Sequence, residues 1–416
     1  MKKEALVIKF GGTSVGSGKA FIRAAKIVAD EAKTRPTAVV VSAMSGVTDT
    51  LLGHVGTTGS SGRMTRRASE RTPTVAAREG LSELHRTLYT RHLIAAREAV
   101  AEAHFPNVER RVLALLGELM EKMSDEGMAS DTRAAEVATH GERLSAEILA
   151  GAIKSLGVDA SVAEDPIATE SEADGEADIC PDATRERCRR NVAPILDGGS
   201  VAVVPGYVGR SPEGGITTLG RGGSDLSATA LGRGVGASEV WIMTDVDGVL
   251  SADPRLVPDA SLMPKLSYRE ARLFAELGAK VLHHKTMEPV ADAGIEVRVG
   301  NTFNPGCDGT RVSGIEDGEG VRCVALRREL RFEVPCASGK KSEAAMVVGI
   351  GVPSSDDLSR GRRSLRKAGI PVLHSGSAPA GLVFSVSEEH AEAALRTLHD
   401  SLVAGRERSL AGEAVA

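Results

Sequence analysis

The sequence predicts an α/β fold in which helices cover a mainly parallel central sheet, followed by a small C-terminal α/β sandwich. The large part is predicted because short apolar runs end at loops of small residues, with helical patterns between the runs. Strands of a parallel sheet are buried on both faces and therefore read as continuous apolar runs. The small part is predicted because the pattern changes near residue 320, where short strand patterns become frequent.

The first strand is predicted over residues 5–10, which end at Gly11-Gly12, and the second over residues 37–43. A helical pattern lies between them, with one apolar face made of Phe21, Ala25, Val28 and Ala29. A strand, a loop, a helix and a second strand in this order indicate parallel pairing.

The middle of the large part is predicted to be helical over residues 74–156. Its clearest piece places apolar residues four apart and stops at Gly157; these residues are Leu144, Ile148, Ala152 and Leu156. Residues 57–71 are polar and predict an exposed loop, with a basic ligand patch as the alternative. The acidic, aperiodic residues 164–178 predict a solvated loop in preference to a metal site.

The later elements are predicted from the same kinds of apolar run and helical pattern. The large domain is completed by strands predicted over residues 201–204, 239–243 and 295–299 and a helix over 225–233. After a connector at residues 305–317, the small domain is predicted to hold the hairpin 321–334, the strands 345–350, 370–374 and 381–386, and the helices 356–368 and 388–403. The predicted domains are residues 1–312 and 320–416.

Composition excludes several classes of protein. A chain of 416 residues predicts two or three domains, and a net charge of −5 excludes a strongly basic nucleic-acid binder. Seven Phe, three Tyr and one Trp are too few for base-stacking platforms. Five cysteines without a C-x-x-C pair argue against a disulfide framework or a zinc site. Without a signal peptide or a membrane-length apolar run, the expected location is cytoplasmic.

Four loops at predicted strand ends carry the chemistry, because ligands of open parallel sheets bind at the carboxyl ends of strands. In residues 9–15, the paired glycines let backbone N–H groups approach an anion, and Lys9 supplies a charge for a phosphoryl group. A structural turn is the alternative. In residues 42–48, hydroxyl groups could bind a carboxylate or phosphate, or could cap a helix.

The other two loops combine glycines with charged residues. In residues 217–225, Arg221 between glycines offers a fork for a carboxylate, and Ser224 and Asp225 begin a helix. A glycine-rich β-to-α turn is the alternative. The carboxylates of residues 244–250, with Arg255 nearby, fit a nucleotide site with Mg²⁺ or a hairpin turn.

Together these loops closely resemble the aspartate kinase branch of the amino acid kinase family. The matching segments are 9–15 (KFGGTSV), 42–48, 141–145, 217–225 (TTLGRGGSD), 244–248 (TDVDG), 252–255 and 278–283. The resemblance covers residues 5 to about 312. It implies an amino acid kinase-type three-layer sandwich for residues 1–312. Residues 320–416 would form an ACT-like regulatory and dimerisation region, shortened to one module.

The resemblance implies the transfer of a phosphoryl group from ATP, with Mg²⁺, to L-aspartate, giving 4-phospho-L-aspartate on the route to lysine, threonine and methionine. It implies that Lys9 and Asp225 act at the phosphoryl group. The implied ATP and phosphate residues are Lys9, Gly11, Gly12, Ser14, Thr244, Asp245, Asp247, Arg255 and Lys280. The implied aspartate residues are Ser42, Thr48, Glu142, Tyr207, Arg221, Gly222 and Ser224. No metal ligand from the protein is predicted.

The sequence also departs from the family. Tyr207 stands where Phe is usual, and Leu250 where an aromatic residue often packs near adenine. The usual Pro-Gly at the first helix of the ACT module is replaced by residues 353–356 (PSSD). The resemblance therefore does not carry feedback inhibition by lysine or threonine over to this chain.

Two rival functions remain at this point. A related amino acid kinase could phosphorylate another carboxylate in a specialised pathway, and the reduced regulatory region motivates that alternative. A sensor that has lost catalysis is the other, against which Lys9, Arg221, Asp225 and Lys280 argue. The expected partners are ATP and L-aspartate, with no nucleic acid and no membrane. A homodimer or higher homo-oligomer through the ACT-like region is also expected.

Overall fold

The computed structural model describes residues 4–59, 75–125, 130–170, 176–277, 283–315, 319–330, 344–378 and 381–404. The chain divides into two compact units, Met1–Asp245 with Ile295–Gly306, and Val246–Gly294 with Cys307–Ala416. These packing units divide the chain at residue 245. The predicted functional boundary between residues 312 and 320 stays a prediction.

A parallel sheet forms the centre of the first unit. Its strands are β1 (Ala5–Phe10), β2 (Thr37–Val41), β3 (Ala160–Val162), β4 (Val201–Pro205), β7 (Ala237–Thr244) and β9 (Glu296–Asn301). They lie in the order β3-β4-β2-β1-β7-β9, and each neighbouring pair is parallel. A short antiparallel pair, β5 (Val208–Arg210) and β6 (Ile216–Thr218), follows β4. The predicted mainly parallel sheet is confirmed.

Helices cover both faces of this sheet. They are α1 (Gly18–Ala32), α2 (Val47–Gly59), α3 (Val75–Ala99), α4 (Phe105–Ser124), α5 (Ser130–Ala138), α6 (His140–Lys154), α7 (Pro181–Asn191), α8 (Ala193–Asp197) and α9 (Gly223–Val235). α1, α3, α4 and α6 share one apolar core with the sheet, whereas α9 packs on β1 and β7 and is itself covered by α7. Helix, sheet and helix make the three layers that were predicted.

Strand alternation decides where the polar residue of β1 points. Leu6, Ile8 and Phe10 enter the core shared with α1, α3, α4 and α6. Because successive side chains of a strand point to opposite faces, Lys9 faces the α9 layer. Lys9, the one charged residue in an otherwise apolar strand, therefore lies at the start of α9.

The second unit combines a parallel pair of strands with an antiparallel sheet. β8 (Lys265–Ser267) pairs in parallel with β10 (Thr310–Ser313). β11 (Gly320–Leu330), β12 (Ala344–Val352), β13 (His374–Ala378) and β14 (Gly381–Ser387) form the antiparallel sheet in the order β11-β12-β14-β13. Its helices are α10 (Tyr268–Glu276), α11 (Glu288–Ala291), α12 (Asp357–Lys367) and α13 (Ala391–Leu398). The antiparallel sheet with α12 and α13 is the predicted small α/β sandwich.

Several sequence predictions were wrong in detail. Residues 320–330 form one long strand that pairs antiparallel with β12, so no hairpin turn falls within residues 321–330; residues 331–334 lie outside the described part. The strand predicted over 370–374 begins only at His374. Residues 57–59 belong to α2, and residues 60–71 are not described. Leu156 lies beyond the end of α6 and is 41% exposed.

The acidic segment 164–178 is less solvated than predicted where it is described. Ile167, Ala168 and Thr169 are buried, and the N–H of Thr169 donates to the carbonyl of Arg210 over 3.0 Å. The N–H of Ala177 donates to the carbonyl of Thr218 over 2.8 Å. Backbone pairing with the β5–β6 hairpin therefore covers this segment, a contact that charge alone could not reveal. Among the described residues, no helix is long and apolar enough to span a membrane.

Candidate active site

A polar cavity of about 350 Å³ lies in the first unit, at the carboxyl ends of β1, β2 and β4 and the start of α9. Of the sequence-predicted residues, the cavity wall contains Lys9, Gly12, Ser42, Thr48, Glu142, Tyr207, Gly222, Ser224 and Asp225. Residues that are distant in the sequence thus meet at the edge of the sheet where ligands of open α/β folds bind.

An ion pair crosses this cavity. The Nζ of Lys9 lies 2.5 Å from Oδ1 of Asp225, and the two side chains are 11% and 13% exposed. Lys9 comes from β1 and Asp225 from the first turn of α9, where the helix dipole also favours a negative charge. The ammonium group of Lys9 is therefore held in the cavity. It has three N–H donors, and Asp225 does not engage all of them.

The turn after β1 brings two loops close together. A side chain at Gly12 would place its Cβ 3.0 Å from the carbonyl oxygen of Ala43 and 3.3 Å from the nitrogen of Ser45. The carbonyl of Gly12 also accepts a hydrogen bond from the N–H of Ser45 over 3.3 Å. The N–H of Gly11 donates to the carbonyl of Met243 over 3.2 Å, so it closes the turn.

The loop after β2 forms a second wall. The N–H of Ser42 donates to the carbonyl of Phe10 over 3.1 Å, and Gly46 adopts a left-handed conformation (φ +77°) that favours glycine. α2 begins directly afterwards, which places Thr48 in its first turn and in the cavity wall. Arg91 of α3 donates to the carbonyl of Ser45 and supports the loop from outside.

Glu142, in the first turn of α6, is the most buried acid in the cavity wall, at 4% exposure. Burial raises its pKa to about 8, although hydrogen bonds from the backbone of Ala43 and of Glu142 itself oppose the shift. The carboxyl group is therefore mainly protonated at neutral pH. A ligand cation would stabilise its ionised form.

Tyr207 lies near Glu142 in a strained backbone conformation. Its φ of +69° is unusual for a non-glycine residue, and such strain is concentrated at functional sites. The strain is supported by a hydrogen bond from the N–H of Tyr207 to Oγ of Ser227 over 3.0 Å. Burial raises the pKa of the phenol, Thr218 opposes this through a side-chain hydrogen bond, and the nearby Glu142 adds to it.

The glycine-rich loop before α9 forms another wall of the cavity. Gly220 and Gly222 have φ values of +68° and +74°, and Gly222 is the N-cap of α9. A side chain at Gly223 would meet the ring of Tyr207 at 2.8 Å. Arg221, between the glycines, is exposed and does not line the cavity. The loop is thus shaped for close approach, with its arginine outside the wall.

The predicted nucleotide residues are more widely distributed. Thr244 ends β7 and is half-buried, and Asp245 after it is exposed. Asp247 and Arg255 belong to the second unit and are exposed, and Arg255 forms an ion pair with Asp253. Ser14 is fully buried and bonds to Thr302. Lys280 lies outside the described residues, and roles in ATP binding stay predictions.

Several wall residues were missed by sequence reasoning: Ala43, Met44, Gly46, Asp49, Gly220 and Gly223; the hydroxyl of Ser45 belongs to the predicted 42–48 loop. All of them lie inside or directly beside the loops that were singled out. Their small or apolar side chains gave no chemical signal, because they contribute backbone and shape. Asp49 is the exception, since a carboxylate one residue after the 42–48 loop could have been noted.

A dedicated metal site is not built from the residues that the structure describes. They contain no group of three or more His, Cys, Asp and Glu side chains placed to hold a metal ion. Mg²⁺ in phosphoryl transfer is usually bound through one or two carboxylates together with substrate phosphates. The donor set around the cavity fits an ion that arrives with a nucleotide better than a resident one.

Comparison with known proteins agrees with this architecture. The model of the amino acid kinase family matches residues 4–301. Lysine-sensitive aspartokinase 3 of Escherichia coli (strain K12) is 32% identical over 330 residues, which cover 78% of this chain and 68% of that protein. The crystal structure of E. coli aspartokinase III in complex with aspartate and ADP superposes with a TM-score of 0.75 at 25% identity. It covers 96% of this chain and 100% of that one.

Other relatives are longer than this chain. Aspartokinase 3 of Arabidopsis thaliana is 31% identical over 322 residues, covering 76% of this chain and 54% of that protein. A bifunctional aspartokinase/homoserine dehydrogenase of Haemophilus influenzae is 30% identical over 323 residues, covering 77% and 38%. The chain thus spans between about a third and just over half of the plant and bifunctional relatives. Its sequence and fold place it in the amino acid kinase family, among the aspartokinases.

Proposed function

We propose that this chain is an aspartate kinase that transfers the γ-phosphoryl group of ATP to the side-chain carboxylate of L-aspartate. The observation that carries the proposal is the cavity in which Lys9 meets Asp225 and faces Glu142, Tyr207 and Ser224. These groups match an amino acid that bears both charges and a phosphoryl group that bears negative charge. The aspartate and ADP bound by the E. coli relative support the same assignment.

The chemistry needs positioning and charge more than a base. A carboxylate oxygen attacks the γ-phosphorus, a new P–O bond forms, and the bond to the oxygen bridging the β- and γ-phosphates breaks, so that ADP leaves. The attacking carboxylate is already ionised, and the barrier is lowered mainly by alignment and by cations that offset repulsion. Mg²⁺, when bound with ATP, would supply further positive charge to the phosphates.

Several wall residues have a proposed part, and so does Arg221 outside the wall. Lys9 stabilises the charge of the moving phosphoryl group, and Asp225 keeps its ammonium in place. Glu142, once ionised, pairs with the substrate ammonium group, and Ser42, Thr48 and Ser224 donate hydrogen bonds. Arg221 would bind a substrate carboxylate by turning inward between Gly220 and Gly222, which carry no side chains to obstruct it.

The rival substrate is another carboxylate. ADP release from Mg-ATP is measured with L-aspartate, D-aspartate, L-glutamate and N-acetyl-L-glutamate, for the wild-type chain and for Lys9→Ala. L-aspartate should support turnover at least tenfold better than the other acids, and Lys9→Ala should abolish it. Faster turnover with another acid would assign the chain to a different substrate. Nucleotide binding without turnover on any acid would indicate a sensor.

We propose assembly through the C-terminal sandwich, because β13 is an edge strand of its antiparallel sheet and has exposed residues.

The E. coli relative is named for its sensitivity to lysine. In this chain the buried carboxylate of Asp357 accepts the N–H of Ser354 over 2.8 Å at the start of α12. Titration of lysine and threonine in the same assay tests whether that helix still takes an effector.

A further inference from the structure

Thr302, the residue after β9, connects the ends of three strands. It is fully buried, and its hydroxyl lies 2.7 Å from the hydroxyl of Ser14 in the turn after β1. Its N–H donates to the carbonyl of Thr244 at the end of β7 over 2.9 Å. The strand order β1-β7-β9 accounts for the reach, because Thr302 extends across the end of β7 to the turn of β1.

The same edge holds a second bond of this kind. The N–H of Gly11 donates to the carbonyl of Met243, one residue before Thr244. The turn after β1 is therefore fixed to the end of β7 twice, once directly and once through Thr302. The side chain of Asn301 stabilises the neighbouring turn by accepting the N–H of Phe303 over 2.8 Å.

This arrangement changes the part that Ser14 can play. Ser14 is fully buried, does not line the cavity and has its hydroxyl beside that of Thr302. Breaking a hydrogen bond between two buried hydroxyls costs free energy, because it leaves a buried polar group unsatisfied. Ser14 is thus placed to shape the turn that carries Gly11 and Gly12, and not to contact a ligand itself.

We propose that Thr302 is a positioning residue that holds the Gly11-Gly12 turn and the Thr244 end of β7 in register for the nucleotide phosphates. The proposal rests on the proposed function, since it takes these two segments as the nucleotide site. Its distinctive consequence is that Ser14 and Thr302 act as one unit. Removing either hydroxyl should have nearly the full effect of removing both.

The experiment measures ADP and ATP binding to the full chain by calorimetry, together with KM for ATP and for L-aspartate. Thr302→Val should weaken nucleotide binding and raise KM for ATP about fivefold to tenfold. KM for L-aspartate should change less than twofold. Thr302→Ser should restore binding, and Ser14→Ala with Thr302→Val should be no weaker than Thr302→Val alone.

Thr37→Val is the matched control. Thr37 is similarly buried, donates to the carbonyl of Arg35 over 3.0 Å and begins β2, at the amino ends of the strands and away from the turn after β1. It should lower the denaturant midpoint without changing nucleotide affinity. Wild-type affinity in Thr302→Val, or additive losses in the double variant, would overturn the inference while leaving the kinase assignment intact. A wild-type chain that binds no nucleotide would overturn both.

Discussion

Lys9 and Asp225 face each other at 2.5 Å across the carboxyl edge of the sheet, one from its central strand and the other from the helix that follows the glycine-rich loop. Both side chains are largely buried, so water screens their attraction poorly. The pair joins the motifs at residues 9–15 and 217–225, which are about 200 residues apart. If the proposed function holds, stability and phosphoryl transfer depend on the same two charges.

Replacing Lys9 should lower both catalytic activity and stability. Lys9→Ala should lower kcat/KM at least 10²-fold, because the charge that stabilises the phosphoryl group is lost. It should also lower the free energy of unfolding by about 1–3 kcal/mol, since it leaves Asp225 unpaired. Activity and urea unfolding measure the two effects.

A double variant tests whether the unpaired carboxylate of Asp225 causes the loss of stability. In Lys9→Ala with Asp225→Ala the unpaired carboxylate is gone, so part of the lost stability should return while activity stays absent. Lys33→Ala removes an exposed lysine paired with Asp30 and is the control for charge alone. A double variant less stable than Lys9→Ala would argue against an unpaired carboxylate as the cause.

Glu142 should make stability depend on pH. Its pKa is about 8 in the folded chain against an ordinary value of 4.5, so the unfolded chain releases the proton first as pH rises. The folded state then binds more protons than the unfolded state, and the free energy of unfolding falls between about pH 4.5 and pH 8. Urea unfolding of the wild type and of Glu142→Gln at pH 5 and pH 8 measures this.

The side chain introduced by Glu142→Gln cannot ionise, so this variant should not show that fall in the free energy of unfolding. The wild type should therefore lose several kcal/mol more than Glu142→Gln between the two pH values, at roughly 1.4 kcal/mol per unit of pKa difference. Glu121→Gln, an exposed position on α4, should behave as the wild type does. Equal losses in Glu142→Gln and the wild type would show that the carboxyl group is not held neutral.

Gly223→Ala should damage the substrate pocket more than the fold. The added Cβ would lie 2.8 Å from the ring of Tyr207 and 3.0 Å from Cβ of Leu219, so the ring must shift. KM for L-aspartate should rise about tenfold, with little change in KM for ATP. Gly117→Ala, in α4 with nothing within 4 Å of the new Cβ, should instead stabilise the chain by about 0.5–1 kcal/mol. An unchanged KM would mean that Tyr207 does not shape the aspartate pocket.

Arg255 offers a test of the nucleotide prediction. It donates to Asp253 from its backbone N–H over 2.9 Å and from Nε over 3.0 Å, and both belong to an exposed loop. If Arg255 binds phosphate, Arg255→Ala should raise KM for ATP several-fold without lowering the denaturant midpoint, because exposed ion pairs contribute little to stability. Asp253→Asn should leave KM for ATP nearly unchanged. Wild-type kinetics in Arg255→Ala would remove it from the nucleotide site.

Local patterns made part of the fold and of the site predictable. The strands that became β1, β2, β4, β7 and β9 were recognised because a short continuous apolar run that ends at small residues is typical of a buried parallel strand. Apart from Gly12 and Gly222, the wall residues that were found carry charges or hydroxyls, and all of them lie in or near the recognised motifs. Long-range pairing was not predictable: β11 was taken for a hairpin because its partner, β12, begins more than ten residues after it ends.

The contacts of single residues were equally hidden. The family resemblance implies that Ser14 contacts ATP or phosphate, and only the strand order brings Thr302 to its hydroxyl. The covered part of the acidic segment near Thr169 was missed because its burial depends on backbone pairing with β5 and β6. Polar composition predicts exposure only where no distant strand supplies a partner.

Direct identification of the product tests the central claim. Wild-type chain, Lys9→Ala and Lys33→Ala are incubated with Mg-ATP and L-aspartate. In one set of samples ³¹P NMR follows the phosphorus, and in a parallel set hydroxylamine attacks the acyl phosphate to give aspartyl hydroxamate and free phosphate. The wild type and Lys33→Ala should form ADP and an equal amount of an acyl phosphate trapped as aspartyl hydroxamate, and Lys9→Ala should form neither. ADP with free phosphate and no hydroxamate, or an undiminished yield with Lys9→Ala, would contradict the account.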